Sequence, residues 1–191
     1  MTLSKTVLTA LACGLVSLFP GLANAATAGE VSTCGLVLEA RFIEGAPRDR
    51  FTFANRSTAA WNITNLSLDL SASKGRLIFD TVDGGTGVEV FQPFRDEGGS
   101  ALLSQLPNLA DGDSALSLDF QKFDQGLSYQ FSIDVDDTLN DSELGQIRVS
   151  GAEIAGAVLS VNLTSPRGEA VSLTTTFSES ATADLGDKAC T

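Results

Sequence analysis

Apolar and polar residues alternate with a period of two along most of the chain after residue 30, and this is the period of β-strands. The clearest example is residues 127–135, where apolar side chains alternate with Ser128, Gln130, Ser132 and Asp134. The same alternation predicts further strands, over residues 36–42, 51–53, 61–63, 66–70, 77–79, 88–91, 116–120, 147–149, 158–163 and 171–177. A sustained helical spacing of apolar residues is missing after residue 30.

One strand prediction contains a change of parity. Trp61 and Ile63 occupy odd positions, whereas the apolar residues of 66–70 occupy even positions. A strand that keeps one face buried across such a change needs an extra residue, so the pattern predicts a bulge or bend near Thr64-Asn65.

The strand pattern predicts an all-β fold. About eight to ten short strands, separated by turns rich in Gly, Asp and Asn, are typical of an antiparallel β-sandwich, here with a jelly-roll-like arrangement. We expect a single domain over residues 26–191, with the weakly patterned residues 178–191 forming a loop or a final strand.

Residues 1–25 have the features of a secretory signal peptide. Lys5 precedes an apolar run from Val7 to Phe19, and Ala23-Asn24-Ala25 offers small residues at the positions that signal peptidase requires. We therefore expect cleavage after Ala25 and a secreted protein, periplasmic or extracellular. A membrane anchor would need about 20 apolar residues, which Pro20 interrupts, and the residues before Cys13 fit a lipid-attachment motif poorly.

Charge and composition exclude several classes of function. The chain has a net charge of −12, which opposes binding to nucleic acid or to an anionic membrane surface and favours divalent cations or basic partners. The alternative interpretation is that the charge only keeps the protein soluble. The chain contains no histidine, which excludes Ser-His-Asp catalysis and the common zinc sites.

Cys34 and Cys190 remain after the predicted cleavage and lie near the two ends of the domain. Two cysteines in one domain usually pair in an oxidising compartment. We therefore predict a disulfide that joins the first strand to the C-terminal tail, and two unrelated thiols are the alternative.

Carboxylates are densest directly after the clearest strand, where five acidic side chains occur within ten residues. They are Asp134, Asp136, Asp137, Asp141 and Glu143. Calcium is bound by six to eight oxygens, often from a strand end and the following loop, so the cluster predicts a calcium site. The spacing is not that of an EF-hand, and a solvated turn whose Asp side chains bind backbone N–H groups is the alternative.

Other acidic residues have simpler interpretations. Asp80, Asp113 and Asp119 are further acidic positions, and Asp83-Gly84 and Asp111-Gly112 have the sequence of tight turns. No catalytic residues are assigned. Trp61 and Tyr129 alternate with polar residues inside strands, so we expect them in the core rather than on a sugar-binding surface.

Several sequence segments of the chain resemble those of a known family. They are FIEGAPRDRFTFAN, LSLDLSASKGRLIFDT, GTGVEVFQPF, DGDSALSLDF and FSIDVDDT. Together they resemble the bacterial aggregation factor core proteins, which are named after the core polypeptide of a calcium-dependent sponge adhesion assembly. The second half also looks like β-sandwich modules of bacterial surface proteins. The resemblance implies extracellular adhesion or self-association, possibly with calcium, and it transfers no binding residues.

Three hypotheses for the function follow. The first is a secreted, non-enzymatic adhesion or aggregation protein whose partner is a second copy of itself or an extracellular glycan or protein surface. The second is a carbohydrate-binding jelly-roll module with an exposed aromatic or acidic groove. The third, a small hydrolase, needs two carboxyl groups about 5–10 Å apart in one concave pocket.

Overall fold

A computed structural model describes residues 32–142 and 144–186 of the chain. These residues form eleven β-strands and no helix, arranged as two antiparallel sheets that pack against each other. The antiparallel β-sandwich predicted from the sequence is therefore confirmed. Among these residues there is no helix long and apolar enough to cross a membrane. The predicted signal peptide lies outside the described residues.

The first sheet has six strands, in the order β11-β1-β2-β8-β4, with β5 also paired to β8. Its strands are β1 (Val37–Ile43), β2 (Asp49–Asn55), β4 (Ile78–Asp80), β5 (Arg95–Gly99), β8 (Ser128–Asp136) and β11 (Thr182–Gly186). The second sheet has five strands, in the order β10-β9-β3-β7-β6. Its strands are β3 (Asn62–Asp69), β6 (Leu102–Leu103), β7 (Ala115–Lys122), β9 (Val158–Thr164) and β10 (Ala170–Thr176).

The parity change in β3 has the predicted structural cause. In the pairing of β3 with β9 the register shifts between Ile63 and Asn65, so one residue of β3 is left over at Thr64. This irregularity keeps Ile63 and Leu66 buried although they are three positions apart.

Two of the predicted strands are absent. Residues 88–91 lie in the long connection between β4 and β5, and residues 147–149 lie in a loop after β8. In the first case the alternation has another cause, because Val88 donates its backbone N–H to an Asp side chain rather than to a neighbouring strand. The final strand predicted within 178–191 is confirmed as β11.

The core between the sheets is aromatic and aliphatic. The ring centroid of Phe131 lies 5.0 Å from those of both Phe51 and Phe94. Trp61 and Tyr129 are also buried, as predicted. The indole N–H of Trp61 donates to the carbonyl of Cys34 over 3.1 Å, so burial of this ring leaves its donor satisfied.

Asn55 is a fully buried polar residue at the end of β2, and all of its side-chain groups are used. Its Nδ2 donates to the carbonyl oxygens of Trp61 and Phe123 at 2.9 and 3.1 Å, and its Oδ1 accepts from the N–H of Ser57 at 3.3 Å. The amide therefore connects three loop segments inside the sandwich.

The two ends of the domain meet in the first sheet. β11 pairs antiparallel with β1, and Gly186 lies opposite Val37. Cys34 lies just before β1, whereas Cys190 lies outside the described residues. The pairing of Cys34 with Cys190 therefore stays a prediction, and the register of β1 and β11 is compatible with it.

β8 organises the part of the sheet that carries the candidate site. It pairs with β2 along one edge, and along the other edge its first half pairs with β5 and its last residues pair with β4. The connection from β4 to β5, residues 81–94, thus leaves and returns at the same edge of β8. We call residues 81–94 the covering segment.

Candidate metal centre

Three aspartates meet at the end of β8. Asp80 lies directly opposite Asp134 in the antiparallel pairing of β4 with β8, so their side chains project from the same face of the sheet. Asp136 is two residues further along β8 and projects from that face as well. One carboxylate oxygen from each of the three lies within 4.8 Å of the others. We call Asp80, Asp134 and Asp136 the aspartate triad.

The triad is buried although it faces away from the apolar core. Ile133 and Val135 alternate with it along β8 and belong to the core between the sheets. The exposed fractions of Asp80, Asp134 and Asp136 are nevertheless 3%, 0% and 1%. Burial of three neighbouring carboxylates is costly unless each charge is compensated.

The covering segment is attached to the triad by backbone hydrogen bonds. The N–H of Val88 donates to Oδ2 of Asp136 at 2.7 Å, and the N–H of Asp134 donates to the carbonyl of Gln92 at 3.1 Å. The side chain of Gln92 is held in turn, because its Nε2 donates to Oγ of Ser132 at 3.0 Å.

Most oxygens of the triad are left without a donor. Four buried oxygens of the triad have no hydrogen-bond partner within the described part of the chain, namely Oδ1 of Asp80, both Oδ atoms of Asp134 and Oδ1 of Asp136. Native proteins rarely leave buried polar atoms unpaired, and each such atom needs an explanation. A metal ion held by one oxygen of each aspartate would compensate the buried charge.

Gly87 completes the wall of the site. A Cβ placed on this residue would collide with the Oδ2 atoms of Asp80 and Asp136, so only a residue without a side chain fits against the carboxylates. The covering segment therefore approaches the triad closely enough to contact its oxygens with backbone atoms.

Burial and mutual repulsion raise the pKa values of the triad. Burial, followed by the charges of Asp136, Asp49 and Asp80, raises the pKa of Asp134 to about 8. Burial raises the pKa of Asp136 to about 6 against the opposing hydrogen bond from Val88. Burial also raises the pKa of Asp80. Without a cation, the carboxyl of Asp134 therefore keeps a proton at neutral pH, because its pKa lies above 7.

Two neighbouring aspartates are satisfied by the backbone instead. Asp49 accepts the N–H groups of Gly45 and Val135 at 2.8 and 3.0 Å, although burial still raises its pKa to about 7. Asp111 accepts the N–H groups of Thr81 and Thr86 at 2.8 and 2.6 Å, and mainly the bond from Thr81 lowers its pKa to about 2. The turn role predicted for Asp111 fits these bonds, which fasten the start of the covering segment.

The acidic cluster predicted from the sequence does not form one site. Asp134 and Asp136 come together with Asp80, whereas Asp137 contacts Gly75 and Leu139 in a different part of the fold. Asp141 is exposed and lies on the Asp137 side, where both residues line one cavity. Glu143 lies outside the described residues. The physical reason for the separation is that consecutive residues of an extended chain point in opposite directions.

Sequence reasoning also missed two members of the site. Asp80 was taken only as a further acidic position, because its place opposite Asp134 depends on the register of β4 with β8. Gly87 lies within the glycine-rich stretch 84–87, and this stretch after an Asp at a strand end was the available signal.

The donor set restricts what the triad can bind. It offers carboxylate oxygens only, with no nitrogen or sulfur among its three residues, and such sites suit hard cations. The three buried aspartates could hold a metal ion.

Comparisons with known proteins return no match. No family model matches the chain, and neither a curated protein nor a solved structure matches it.

Proposed function

We propose that this chain is a secreted, non-enzymatic β-sandwich that binds calcium at the aspartate triad and acts in adhesion or self-association outside the cell. The observation that carries the proposal is the set of four buried carboxylate oxygens without a donor, on three adjacent side chains. Calcium uses several carboxylate and carbonyl oxygens, and it is plentiful in the compartment to which the signal sequence would direct the chain.

Calcium at the triad would act on the covering segment. That segment supplies Gly87 and Val88 to the site and exposes Val82 and Phe91, which are 53% and 39% accessible. A cation that fixes the backbone near Gly87 would also fix the positions of these two apolar side chains. This gives a physical route from cation binding to the outer surface, as calcium-dependent association requires.

Burial argues against a sugar-stacking role for Trp61 and Tyr129 and against a hydrolytic role for the triad. Trp61 and Tyr129 are buried, so neither ring can stack on a sugar. Asp134 and Asp136 are almost inaccessible, so they cannot reach the glycosidic bond of a polysaccharide from where they lie. Binding of a small ion that is enclosed by the fold needs no such access.

The test is a calcium titration of the purified protein after removal of metal with a chelator. We expect saturable heat of binding by calorimetry, a rise in melting temperature, and a calcium-dependent increase in particle size by light scattering. Binding with no change in size would leave a structural calcium site and contradict the adhesive role. Absence of binding at millimolar calcium would contradict the proposal as a whole.

The control is Asp83→Asn, which removes one charge from the exposed part of the same covering segment. If the effect of calcium came only from screening of the overall negative charge, this variant would lose as much affinity as a triad variant does. We expect its affinity to equal that of the unmodified protein.

A further inference from the structure

We propose that two copies of this chain associate, without calcium, by antiparallel pairing of their β10 strands. The surface is separate from the one discussed above, because β10 lies in the second sheet whereas the aspartate triad lies in the first. The proposal shares with the proposed function only the expectation of self-association, and its partner is a second copy of the same chain.

Strand β10 has backbone groups that no other described strand satisfies. It is an edge of the second sheet and pairs only with β9 among the residues that the structure describes. Before β10, the carbonyl of Glu169 accepts from the N–H of Ser165 at 2.8 Å, and after it the N–H of Phe177 donates to the carbonyl of Ala157 at 2.9 Å. The direction of hydrogen bonding alternates along an antiparallel strand, so the odd-numbered residues of β10 face β9. The N–H and C=O groups of the even-numbered residues therefore point away from the sheet, and we call these groups the open edge. They belong to Ala170, Ser172, Thr174 and Thr176.

The sequence of β10 contains none of the devices that usually protect an edge strand. Natural edge strands are kept from pairing with other chains by shortness, charged side chains, proline or bulges. Strand β10 is seven residues long, and its sequence AVSLTTT has no charge and no proline. Its valine and threonines favour the extended backbone that a further strand would need.

The other edges of the two sheets do have such devices. Strand β6 is two residues long and β4 is three. The pairing of β5 with β8 shifts in register between Asp96 and Gly98, and β11 exposes the charged side chain of Asp184. Among the described strands, β10 is therefore the edge that is most open to a partner.

The distribution of charge favours a second copy as that partner. The chain has a net charge of −12, so two copies repel each other in most orientations. Around β10 the charges balance, because the turn before it contains Arg167 and Glu169, and in the turn after it Glu179 pairs with Lys74 at 3.2 Å. Antiparallel pairing brings the Arg167 turn of each copy to the Glu179 turn of the other, so opposite charges can meet at both ends.

The open edge is also complementary to itself. A twofold axis through the middle of β10 places the outward N–H groups of one copy opposite the outward carbonyls of the other. The contact would join the two five-stranded sheets into one continuous sheet. Because a twofold contact is closed, it stops at a dimer. Larger assemblies would need the calcium-dependent contact at the covering segment, and that further step rests on the proposed function.

The experiment measures the mass of the chelator-treated protein by sedimentation equilibrium, at protein concentrations up to about 1 mM. We expect the mass to rise with concentration from that of one chain to that of two. A mass that stays at one chain over this range would overturn the proposal.

Thr174→Lys changes the open edge directly. Lysine on an edge strand opposes pairing with another strand, so the affinity between copies should fall at least about tenfold. The matched control is Gln121→Lys, which adds the same charge to the exposed face of β7, a strand with a neighbour on each side. Both changes lower the net negative charge equally, so a loss of affinity in Thr174→Lys alone supports the interface. An equal affinity in the two variants would overturn it.

Hydrogen exchange measured residue by residue gives an answer that needs no variant. In the dimer the N–H groups of Ser172 and Thr174 should exchange slowly, and in the dilute monomer they should exchange fast. The N–H of Leu173, which faces β9, should exchange slowly in both. A dimer in which Ser172 and Thr174 exchange fast has formed through another surface and would overturn the proposal.

Calcium separates this proposal from the proposed function. If a dimer forms in chelator but addition of calcium chloride causes neither binding nor growth in size, the proposed function fails and the β10 interface stands. If association requires calcium and is unchanged in Thr174→Lys, the β10 interface is overturned and the proposed function stands.

Discussion

Asn55 and Asp134 are both completely buried, but the polar atoms of Asn55 have hydrogen-bond partners and the carboxylate oxygens of Asp134 do not. Around Asn55, in the interior between the sheets, each amide group has a partner from the chain itself. Around Asp134, beneath the covering segment, both carboxylate oxygens lack one. In the first region the polypeptide itself satisfies the buried polar groups. In the second region the carboxylates need a cation or protons as partners.

The largest expected effect is loss of calcium binding at the triad in Asp134→Asn. Removal of a direct ligand should weaken this binding by more than about 100-fold, since changes beyond the ligands themselves already cost about 10–100-fold in metal sites. In the absence of calcium and above about pH 8, where the carboxyl of Asp134 is ionised, the variant should be at least as stable as the unmodified protein, because a neutral amide then replaces a charge that has no partner. Calorimetry and melting curves measure the two properties.

A loss of stability in calcium-free Asp134→Asn would contradict this comparison. It would mean that the carboxylate already has a stabilising role in the polypeptide alone, as Asn55 has. The exposed control Asp83→Asn should change neither property.

The pH dependence of the calcium-free protein gives the next largest effect. The pKa values of Asp134 and Asp136 are raised to about 8 and about 6 from the usual value of 3.8, so the folded state holds more protons than the unfolded state between these limits. The stability present at low pH is therefore lost as the pH rises through the folded-state values. We expect a loss of several kcal/mol between about pH 5 and pH 8, because each pKa unit by which a folded-state value exceeds the unfolded one corresponds to about 1.4 kcal/mol.

Calcium should remove most of this pH dependence, since the cation takes the place of the protons. The measurement is chemical denaturation at several pH values with and without calcium. A calcium-free protein that is equally stable across this range would show that the triad is not a strained cluster of acids.

Asn55→Ala tests the region around Asn55, where the chain itself satisfies the buried amide. The change removes two donors and one acceptor and leaves the carbonyls of Trp61 and Phe123 buried without those partners. We expect a loss of about 2 kcal/mol in the free energy of unfolding, measured by denaturant titration. Calcium affinity should be unchanged, and a parallel loss of affinity would show that the two regions are not independent.

The smallest effect expected is that of Gly87→Ala. The added methyl group meets the Oδ2 atoms of Asp80 and Asp136, so the covering segment must move away from the triad. Affinity for calcium should fall about tenfold, equivalent to about 1.4 kcal/mol. An unchanged affinity would mean that the segment takes no part in the site.

The sequence predicted the sandwich and much of its detail, because the buried face of each strand appears directly in the period of two. The irregularity between Ile63 and Asn65 was visible as a change of parity within a single strand. The strand predicted over residues 88–91 was wrong, because the backbone N–H of Val88 donates to Asp136 rather than to another strand.

The candidate site was only half predictable. Asp134 and Asp136 were found because they are close in sequence, and Asp137 was grouped with them for the same reason. The separation of Asp137 from the other two depends on the direction of each side chain. The presence of Asp80 in the site depends on the register of β4 with β8. A single sequence contains no information on which of several short strands pair with each other.

The most direct test of the central claim is a crystal structure of the purified protein grown with calcium chloride at about pH 8. We predict an ion about 2.3–2.6 Å from a carboxylate oxygen of each of Asp80, Asp134 and Asp136, enclosed by the backbone at Gly87. A triad without an ion, with its carboxyl groups hydrogen-bonded to one another through protons, would contradict the account.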